Sequence, residues 1–365
     1  MRITSVEAIP LKIPFTLGHE RSGWSADMFQ TLEMVLVRVE TDAGLVGWGD
    51  AFAYGCQRAV VAAIEDMIAP KVVGADARDI AGLNRQLQRQ NHLWGRYGIT
   101  IFAISGLDIA LWDLAGKAAG KPLVQLLGGS GAAPLPAYAS LFRYGDPATV
   151  ARVTEEVLGA GYDHVKLHEI TVPAVAAARH AGGPNFALMV DTNCPWTPTE
   201  AQRMAAAMAE HDLYWLEEPL FPPEDFTGLA RLRDLSGVPL AAGENACTAV
   251  QFQAMFAAGA VDYAQPSVTK VGGVTEFLKI AAQAEASGVR IMAHSPYIGP
   301  GFLASLHLTA ALPDPGLIER FHVTLEANPM GPWVLPKDGQ FMVPDGPGLG
   351  ADPDPAVVAA HRLDR

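Results

Sequence analysis

Two adjacent carboxylates end an apolar stretch of the sequence, residues 214–220, which reads YWLEEPL. The aromatic and aliphatic residues before Glu217 are typical of a buried strand. A carboxylate in such a place is costly unless it is paired, protonated or bound to a metal ion. We therefore expect a positively charged partner near Glu217.

Polar residues recur at nearly regular intervals through the second half of the chain, each near the end of a short apolar segment. The interval ranges from 23 positions, between Glu244 and Ser267, to 27 positions, between Glu217 and Glu244. The series consists of Lys166, Asp191, Glu217, Glu244, Ser267, His294 and Glu319. This spacing is that of one strand and one helix, and it predicts that the seven side chains meet at the carboxyl ends of consecutive parallel strands.

Three members of the series are acids on consecutive predicted strands: Asp191, Glu217 and Glu244. Three such carboxylates repel one another unless a hard divalent cation lies between them. Oxygen ligands of this kind suit Mg²⁺, and Mn²⁺ would also be accepted. Taken singly, each acid is equally typical of a solvated strand end. The neighbouring Glu218 should point away from the cluster, either as a partner for a cationic side chain or as a surface acid.

Candidate bases flank this predicted metal site. Lys166 and His168 are two positions apart and so share one face of a strand, while His294 follows a later strand. Lysine in a desolvated site or near other cations has a lowered pKa, and histidine titrates near neutral pH. Metal and bases together suggest removal of a proton next to a carboxylate, with Glu319 or a lysine stabilising the resulting enediolate. A buried structural histidine is the alternative for each imidazole.

Alternating elements are predicted to position these residues. Apolar β-rich segments alternate with Ala-rich helices from residue 136 to about 325, which indicates a parallel sheet. Eight such units predict a (β/α)8 barrel. The candidate strands are residues 137–142, 164–169, 187–193, 213–219, 240–245, 263–268, 290–296 and 317–322.

A different arrangement precedes the barrel. Residues 31–52 contain two β-rich runs joined by the turn sequence TDAG, as in a hairpin. Residues 100–127 show apolar positions three and four apart, which predicts an amphipathic helix followed by a Gly-Lys-Pro break and a short helical turn. The first domain should end there, at about residue 130.

Composition excludes several function classes. The chain has 365 residues, half of them hydrophobic, and a formal net charge of −13, which argues against binding to nucleic acid. The three cysteines form no CxxC or zinc-finger spacing, and no uncharged apolar run is long enough to span a membrane. We expect a cytoplasmic enzyme or binding protein that acts on a small molecule.

Several motifs resemble the mandelate racemase and muconate lactonizing branch of the enolase superfamily. They are GLVGWGDAF, SGLDIALWDLAGKAAGKPLVQLLGG, VDTNCPWT, WLEEPL, AAGEN, QPSVTKVGG and MAHSP. The resemblance implies an α/β fold, namely a modified (β/α)8 barrel at residues 131–330 under an α+β capping domain at 1–130, completed by 331–365. It also implies Mg²⁺ held by Asp191, Glu217 and Glu244, and a symmetric homo-oligomer, often an octamer.

Further site residues follow from this resemblance. Loops of the capping domain at 17–24 and 51–56 would close over the substrate. The implied substrate-binding residues are His19, Arg21, Trp24 and Tyr54 from these loops and Asn193 from VDTNCPWT. We expect three further residues to contact the catalytic and metal-binding side chains and hold them in position: Glu218, Ser267 and Lys270.

Two departures from the racemase pattern bear on the reaction. The second barrel strand carries Lys166-Leu-His168 in place of Lys-x-Lys, and Ser267 stands where the racemase has the Asp that partners His294. A serine cannot stabilise an imidazolium as a carboxylate would. Both changes favour elimination over two-base racemisation, and KLHE, QPSVTKVGG and HSPYIGPGF are similar to motifs of 3,6-anhydro-L-galactonate cycloisomerases.

The sequence therefore predicts a Mg²⁺-dependent cycloisomerase or dehydratase that converts a sugar acid to a 2-keto-3-deoxy acid. Lys166 or His168 would be the base, with Lys166 otherwise neutralising the substrate carboxylate. His294 would be the acid, and Glu319 would hydrogen-bond the substrate carboxylate. The alternatives are a racemase or epimerase of a 2-hydroxy or amino acid on the same scaffold, and a noncatalytic metal-binding scaffold.

Overall fold

A computed structural model of the protein describes residues 1–17, 30–131 and 133–363. A four-stranded antiparallel sheet forms the N-terminal part. Its strands are β1 (Ile3–Thr16), β2 (Thr31–Thr41) and β3 (Val46–Phe52), and the short β12 (Thr324–Leu325) pairs with β1. The backbone N–H of Thr41 donates to the carbonyl of Leu45 at 3.1 Å, which closes the predicted hairpin turn.

Helices cover one face of this sheet. They are α1 (Gln57–Ala62), a π-helical segment (Ala63–Ile68), α2 (Ala69–Val72), α3 (Ile80–Gln90), a 3₁₀ turn (His92–Trp94), α4 (Ile99–Ala119) and α5 (Leu123–Leu126). Helix α4 lies so close to β3 that a Cβ at Gly47 or Gly49 would collide with the helix backbone. The small residues of GLVGWGDAF thus allow the helix to pack directly on the strand.

Helix α4 ends at the Gly-Lys-Pro break that was predicted within residues 100–127, but it is not amphipathic. It ends at Ala119, where Gly120 adopts a left-handed conformation with φ 63°, and most of its side chains are buried. The sheet covers one side of α4 and the barrel the other, so both faces are apolar. Among the described helices it is the one long and apolar enough to cross a membrane, but 78% of its most apolar window is buried inside the protein, as in a core helix.

Eight parallel strands form the second part of the chain and curl into a barrel-like sheet, in which the first strand, Leu135–Ser140, lies between the second, His164–Leu167, and the last, Ile318–Phe321. The strands are β4 (Leu135–Ser140), β5 (His164–Leu167), β6 (Ala187–Asp191), β7 (Leu213–Glu217), β8 (Leu240–Ala242), β9 (Tyr263–Ala264), β10 (Arg290–Ile291) and β11 (Ile318–Phe321). This architecture confirms the predicted fold class, a modified (β/α)8 barrel with an N-terminal α+β cap.

Helices connect the barrel strands. They are α6 (Pro147–Gly159), α7 (Val172–Gly182), α8 (Pro198–Met208), a 3₁₀ turn (Ala209–His211), α9 (Phe226–Ser236), α10 (Thr248–Ala257), α11 (Gly273–Ser287) and α12 (Pro300–Ala311). Several begin at side-chain caps: Asp146, Thr197 and Asp225 each accept a hydrogen bond from a backbone N–H of the first turn.

Strands β8 to β10 are only two or three residues long and end well before their predicted ends. Glu244, Ser267 and His294 therefore lie two or three residues beyond the strand ends, in the connecting loops. Gly243, with φ 143°, interrupts the extended backbone after β8, and Pro266 lacks the N–H needed to continue the ladder after β9. The loops still direct the three side chains to the carboxyl end of the barrel.

The C-terminal segment contacts both parts of the protein. It contains a 3₁₀ turn (Gly331–Val334), β13 (Gln340–Phe341), which pairs antiparallel with β4, and α13 (Pro355–His361). The backbone N–H of Leu363 donates to the carbonyl of Pro10 on β1 at 3.0 Å. The predicted domain limits, 1–130 with 331–365 and 131–330, stay a prediction.

Apolar side chains fill the barrel interior beneath the carboxyl ends of the strands. The plug consists of Tyr138, Met189, Trp215, Ala241, Met292 and Leu317. Strand β7 carries Trp215 in this plug and Glu217 on the same face one step further, and the indole N–H of Trp215 donates to Oε2 of Glu217 at 2.9 Å. Glu217 therefore lies directly next to these packed apolar side chains.

Candidate active site

Three carboxylates meet at the carboxyl end of the barrel and form the acid cluster, Asp191, Glu217 and Glu244. Asp191 and Glu217 are paired residues at the ends of β6 and β7, and Glu244 follows β8. One oxygen of each lies within 4.8 Å of the others. The side chains of Asp191 and Glu217 are at most 1% exposed. Neighbouring parallel strands bring these residues together because their ends lie at one edge of the sheet.

Lys166 provides positive charge at the base of this cluster. Its Nζ lies 3.3 Å from Oδ2 of Asp191, 3.0 Å from Oε1 of Glu217 and 2.9 Å from Oε1 of Glu319. Burial alone would lower the pKa of Lys166, but the attraction of Glu217 and Glu319 outweighs it and holds the pKa well above its usual value. The expectation of a lysine with a lowered pKa was wrong, because three acids surround the ammonium group.

One lysine does not neutralise three acids. Burial, and then repulsion by Asp191, raise the pKa of Glu217 well above its usual value. Burial also opposes ionisation of Glu244, yet the attraction of His294 and Lys270 lowers the pKa of that carboxyl to about 2. All the atoms of the cluster that could bind a metal ion are carboxylate oxygens, which are the ligands that hard divalent cations prefer. The residues therefore fit a divalent metal ion.

His168 lies on one side of the acid cluster. Its Nδ1 donates to the carbonyl of Leu141 at 2.5 Å, since a carbonyl oxygen can only accept. Its Nε2 lies 3.2 Å from Oδ2 of Asp191, and its side chain is 16% exposed. The neutral ring would thus carry its lone pair on Nε2, the nitrogen directed toward the cluster.

His294 lies on the other side of the cluster, with a different set of partners. Its Nε2 is 2.6 Å from Oε2 of Glu244. Its Nδ1 is 3.0 Å from Oγ of Ser267 and 3.1 Å from the hydroxyl of Tyr297, and these two hydroxyls are also hydrogen-bonded to each other. In the racemase pattern, a carboxylate would be the hydrogen-bond partner of Nδ1. Here two hydroxyl groups, which can donate or accept, take its place.

Two further buried acids, Glu319 and Glu218, contact groups of the site. Oε2 of Glu319 accepts from the backbone N–H of Ser295 at 3.2 Å, and its other oxygen binds Lys166. Burial raises the pKa of Glu218 to about 8, and Oε2 of Glu218 accepts from Nδ2 of Asn245 at 2.8 Å. Oδ1 of Asn245 in turn lies 3.5 Å from Nζ of Lys270. The side-chain amide of Asn245 thus links Glu218 to the ammonium group of Lys270.

A cavity of about 330 Å³ opens above the acid cluster. Among the predicted residues, it is lined by Tyr54, His168, Asn193, Glu244, Lys270, His294 and Glu319. The hydroxyl of Tyr54 donates to the carbonyl of Pro296 at 2.8 Å, which ties the cap to the loop that carries His294. His19, Arg21 and Trp24 lie outside the described residues.

Sequence reasoning missed two side chains of this site. Arg143 lines the cavity and donates to the carbonyls of His168 at 2.5 Å and Thr192 at 3.1 Å, across three neighbouring strands. Its place just after β4 was a usable signal. Tyr297 contacts His294 from three residues along a loop, and no periodic pattern marks such a contact.

Two family models and several known proteins match this chain. Residues 18–128 match the family described as mandelate racemase / muconate lactonizing enzyme, N-terminal domain, and residues 148–357 match enolase C-terminal domain-like. A 3,6-anhydro-alpha-L-galactonate cycloisomerase of Streptomyces coelicolor is 34% identical over 99% of this chain and 97% of its own. An arabinonate dehydratase of Saccharolobus solfataricus is 31% identical over 87% of this chain and 88% of its own.

A solved structure is similar over its whole length. An enolase from Bradyrhizobium, complexed with magnesium and mandelic acid, is 31% identical with a TM-score of 0.86, covering 100% of this chain and 99% of that one. The relatives thus include enzymes named as a cycloisomerase and as a dehydratase of sugar acids.

Proposed function

Because the chain belongs to the mandelate racemase and muconate lactonizing enzyme family of the enolase superfamily, we propose that it removes the proton next to the carboxylate of a sugar acid and expels the oxygen on the adjacent carbon. The chain is an enzyme, and the product would be a 2-keto-3-deoxy sugar acid. One observation carries this proposal: His168 and His294 flank the acid cluster and line the same cavity.

Mg²⁺ is the cofactor that the acid cluster fits, and Mn²⁺ would be accepted by the same oxygen ligands. Asp191, Glu217 and Glu244 would hold the ion. The convergence of the three carboxylates supports this role, since one oxygen of each lies within 4.8 Å of the others. When bound, the cation would draw charge from the substrate carboxylate and so make the neighbouring C–H more acidic.

His168 suits the role of base better than Lys166. The Leu141 carbonyl fixes the proton of the neutral ring on Nδ1, which leaves Nε2 to accept the substrate proton. Lys166 is fully buried, and its raised pKa keeps the ammonium protonated among three carboxylates. Lys166 would therefore hold Asp191, Glu217 and Glu319 in place.

His294 would supply the proton to the departing oxygen. Its Nδ1 faces the hydroxyls of Ser267 and Tyr297, which can donate to it, so the proton of the neutral ring can lie on Nε2, 2.6 Å from Oε2 of Glu244. As His168 takes the α-proton, the C–H electron pair becomes a carbon–carbon double bond and the C–O bond breaks with its own pair. His294 protonates the released oxygen, and the resulting enol tautomerises to the 2-keto acid.

Glu319 fits a different contact from the one expected. The attraction of Lys166 outweighs burial and lowers the pKa of Glu319, so the group is an ionised acceptor. It would accept a hydrogen bond from a substrate hydroxyl and would repel the substrate carboxylate. Lys270, which lines the same cavity, is the better partner for that carboxylate.

A substrate screen with isotope exchange tests this function. The purified protein with Mg²⁺ is incubated with sugar acids and anhydro-sugar acids in deuterated water, and 2-keto acids are detected. Elimination gives a keto acid, whereas a racemase or epimerase returns deuterated substrate of both configurations. Formation of deuterated epimers without any keto acid would overturn the proposal.

The assignment of the base has its own test. His168→Gln should abolish exchange of the α-proton with solvent, because glutamine accepts no proton at neutral pH. Lys166→Met should instead retain this exchange and tighten Mg²⁺ binding measured by calorimetry, since it removes a competing positive charge beside three carboxylates. Exchange at the wild-type rate in His168→Gln would return the role of base to Lys166.

A further inference from the structure

The segment that carries His294 has no regular structure of its own. Residues 292–299, between β10 and α12, belong to neither a helix nor a strand. A ladder of strand hydrogen bonds therefore does not fix the backbone at His294. His168, in contrast, directly follows strand β5, and its ring is held within the barrel by the carbonyl of Leu141. The ring position of His294 then depends on contacts with other segments of the chain.

The end of the cap strand β3 supplies such contacts. The hydroxyl of Tyr54, just after β3, donates to the carbonyl of Pro296 at 2.8 Å. Asp50, within β3, reaches the first turn of α12, where the backbone N–H of Gly301 donates to its carboxylate. The cap thus holds the segment 292–299 near its middle and just beyond its end.

Two glycines make room for the Asp50 carboxylate at the start of α12. A Cβ at Gly299 would lie 2.2 Å from Oδ2 of Asp50, and a Cβ at Gly301 would lie 2.2 Å from Oδ1. The carboxylate therefore occupies the space that side chains at these positions would need. The first N–H groups of a helix lack partners within the helix and favour a carboxylate nearby. Asp50, which is buried, thus fixes where α12 begins and where the segment before it ends.

Tyr297 connects this anchored segment to the imidazole. Its hydroxyl lies 3.1 Å from Nδ1 of His294 and is also hydrogen-bonded to Oγ of Ser267. The rings of Tyr297 and His294 pack edge to face with centroids 5.8 Å apart, and Tyr297 is buried. Tyr297 lies between the two cap contacts, one residue after Pro296 and two before Gly299. A shift of either contact would therefore move the hydroxyl that holds Nδ1.

We propose that Asp50 and Tyr297 are positioning residues for His294, through which the cap directs Nε2 of that imidazole toward the departing oxygen. Asp50 fixes the end of the segment 292–299, and the Tyr297 hydroxyl holds Nδ1. The proposal rests on the proposed function, in which His294 protonates the departing oxygen. His168 has its own support in the barrel, so the two proton transfers depend on different contacts.

Separate measurement of the two proton transfers tests this proposal. For the Mg²⁺-loaded protein in deuterated water, product formation is followed by keto-acid detection and α-proton exchange by mass spectrometry. In Tyr297→Phe, which keeps the ring, we expect kcat for product formation to fall roughly 10-fold, as for the loss of one hydrogen bond, while the exchange rate and KM stay within about 2-fold of the wild type. Asp50→Ala should act in the same direction, and Asp50→Asn, which keeps an acceptor oxygen, should recover most of the loss.

Asp108→Ala is the matched control. Asp108 is likewise a buried acid of the cap, and it accepts from the backbone N–H of Thr275 in the first turn of another barrel helix, α11. It does not contact the segment 292–299 through that bond. The variant should lose thermal stability much as Asp50→Ala does, but it should keep the wild-type ratio of product formation to exchange.

The ratio of the two rates decides between a positioning role and a merely structural one. An equal fall of product formation and exchange in Tyr297→Phe, or an unchanged product rate in that variant, would overturn the proposal. A change of the ratio in Asp108→Ala as large as that in Asp50→Ala would overturn it too. Asp50→Asn takes the place of Asp50→Ala if the latter does not fold, and it should then show a smaller change of the ratio in the same direction.

Nuclear magnetic resonance separates this proposal from the reaction itself. If the wild type forms no keto acid from any sugar acid, the proposed function falls, but the imidazole ¹⁵N shifts still report the contact between Tyr297 and His294. A changed Nδ1 shift of His294 with unchanged shifts of His168, in both Tyr297→Phe and Asp50→Ala, would support the positioning role. Unchanged shifts of both histidines would overturn it.

Discussion

Buried acids occur in two regions of this protein, and they are satisfied in different ways. At the interface between cap and barrel, Asp108 accepts from the backbone N–H of Thr275 at 2.9 Å and from Nδ2 of Asn84 at 2.8 Å. In the acid cluster, three carboxylates instead face one another, and their charged partners are Lys166 and two histidines, His168 and His294. Asp108 and the cluster acids Asp191 and Glu217 are all at most 2% exposed.

The difference lies in the origin of the partners. Thr275 is in the first turn of α11, where backbone N–H groups lack partners within the helix, so a carboxylate from the cap satisfies them. Asp113 in the same helix as Asp108 is similarly held by the N–H groups of Trp48 and Leu349, each at 2.9 Å. Burial of a carboxylate therefore does not identify a ligand site. A ligand site is indicated instead where several carboxylates converge without enough hydrogen-bond donors to satisfy them.

The largest effect is expected from a neutral substitution in the acid cluster. Glu217→Gln should abolish turnover and weaken Mg²⁺ binding, because it removes a charged ligand while keeping the shape of the side chain. Calorimetric Mg²⁺ titration and circular dichroism measure affinity and fold. Since the pKa of Glu217 is raised, we expect the metal-free variant to melt no lower than the wild type. Wild-type Mg²⁺ affinity and activity would remove Glu217 from the site.

A smaller effect is expected at His294, which contacts the cluster through Glu244. His294→Asn should reduce product formation by ~10²–10⁴-fold, the typical contribution of general acid catalysis, while His168 still exchanges the α-proton with solvent. Product formation is followed by keto-acid detection and exchange by mass spectrometry in deuterated water. Complete loss of exchange in this variant would make His294 the base and would reverse the two histidine roles.

The smallest effect on activity is expected at the interface acid. Burial raises the pKa of Asp108 to about 7 from the usual 3.8, against the hydrogen bonds from Thr275 and Asn84. The folded state thus binds this proton more tightly than the unfolded state. The contribution to stability is fully present below about pH 4 and is lost as the pH rises through 7, a change on the order of a few kcal/mol.

Asp108→Asn should remove this part of the pH dependence. Between pH 5 and pH 8, the free energy of unfolding measured with urea should fall less in the variant than in the wild type, and kcat should change only a few-fold. An equal fall in both proteins would show that Asp108 is ionised at both pH values. A loss of activity comparable to that of Glu217→Gln would contradict the distinction between the two regions.

The regular spacing of acids and bases was enough to predict the fold class and the meeting of Asp191, Glu217 and Glu244. Repeated strand–helix units of similar length place every strand end at one edge, so sequence intervals translate directly into proximity. Within residues 100–127, the predicted helix, Gly-Lys-Pro break and short turn are confirmed. The amphipathic character was wrong because α4 is covered on both sides, and local periodicity does not report what packs on the second face.

Contacts between distant segments decided the rest. The sequence placed Lys166 beside His168 as two candidate bases, but only the tertiary structure surrounds Lys166 with three carboxylates and pairs Nδ1 of His168 with the Leu141 carbonyl. The lining of the cavity likewise unites residues from positions 32 to 321. Protonation and cavity shape depend on the summed field and packing of groups from many strands, which no single segment of the chain encodes.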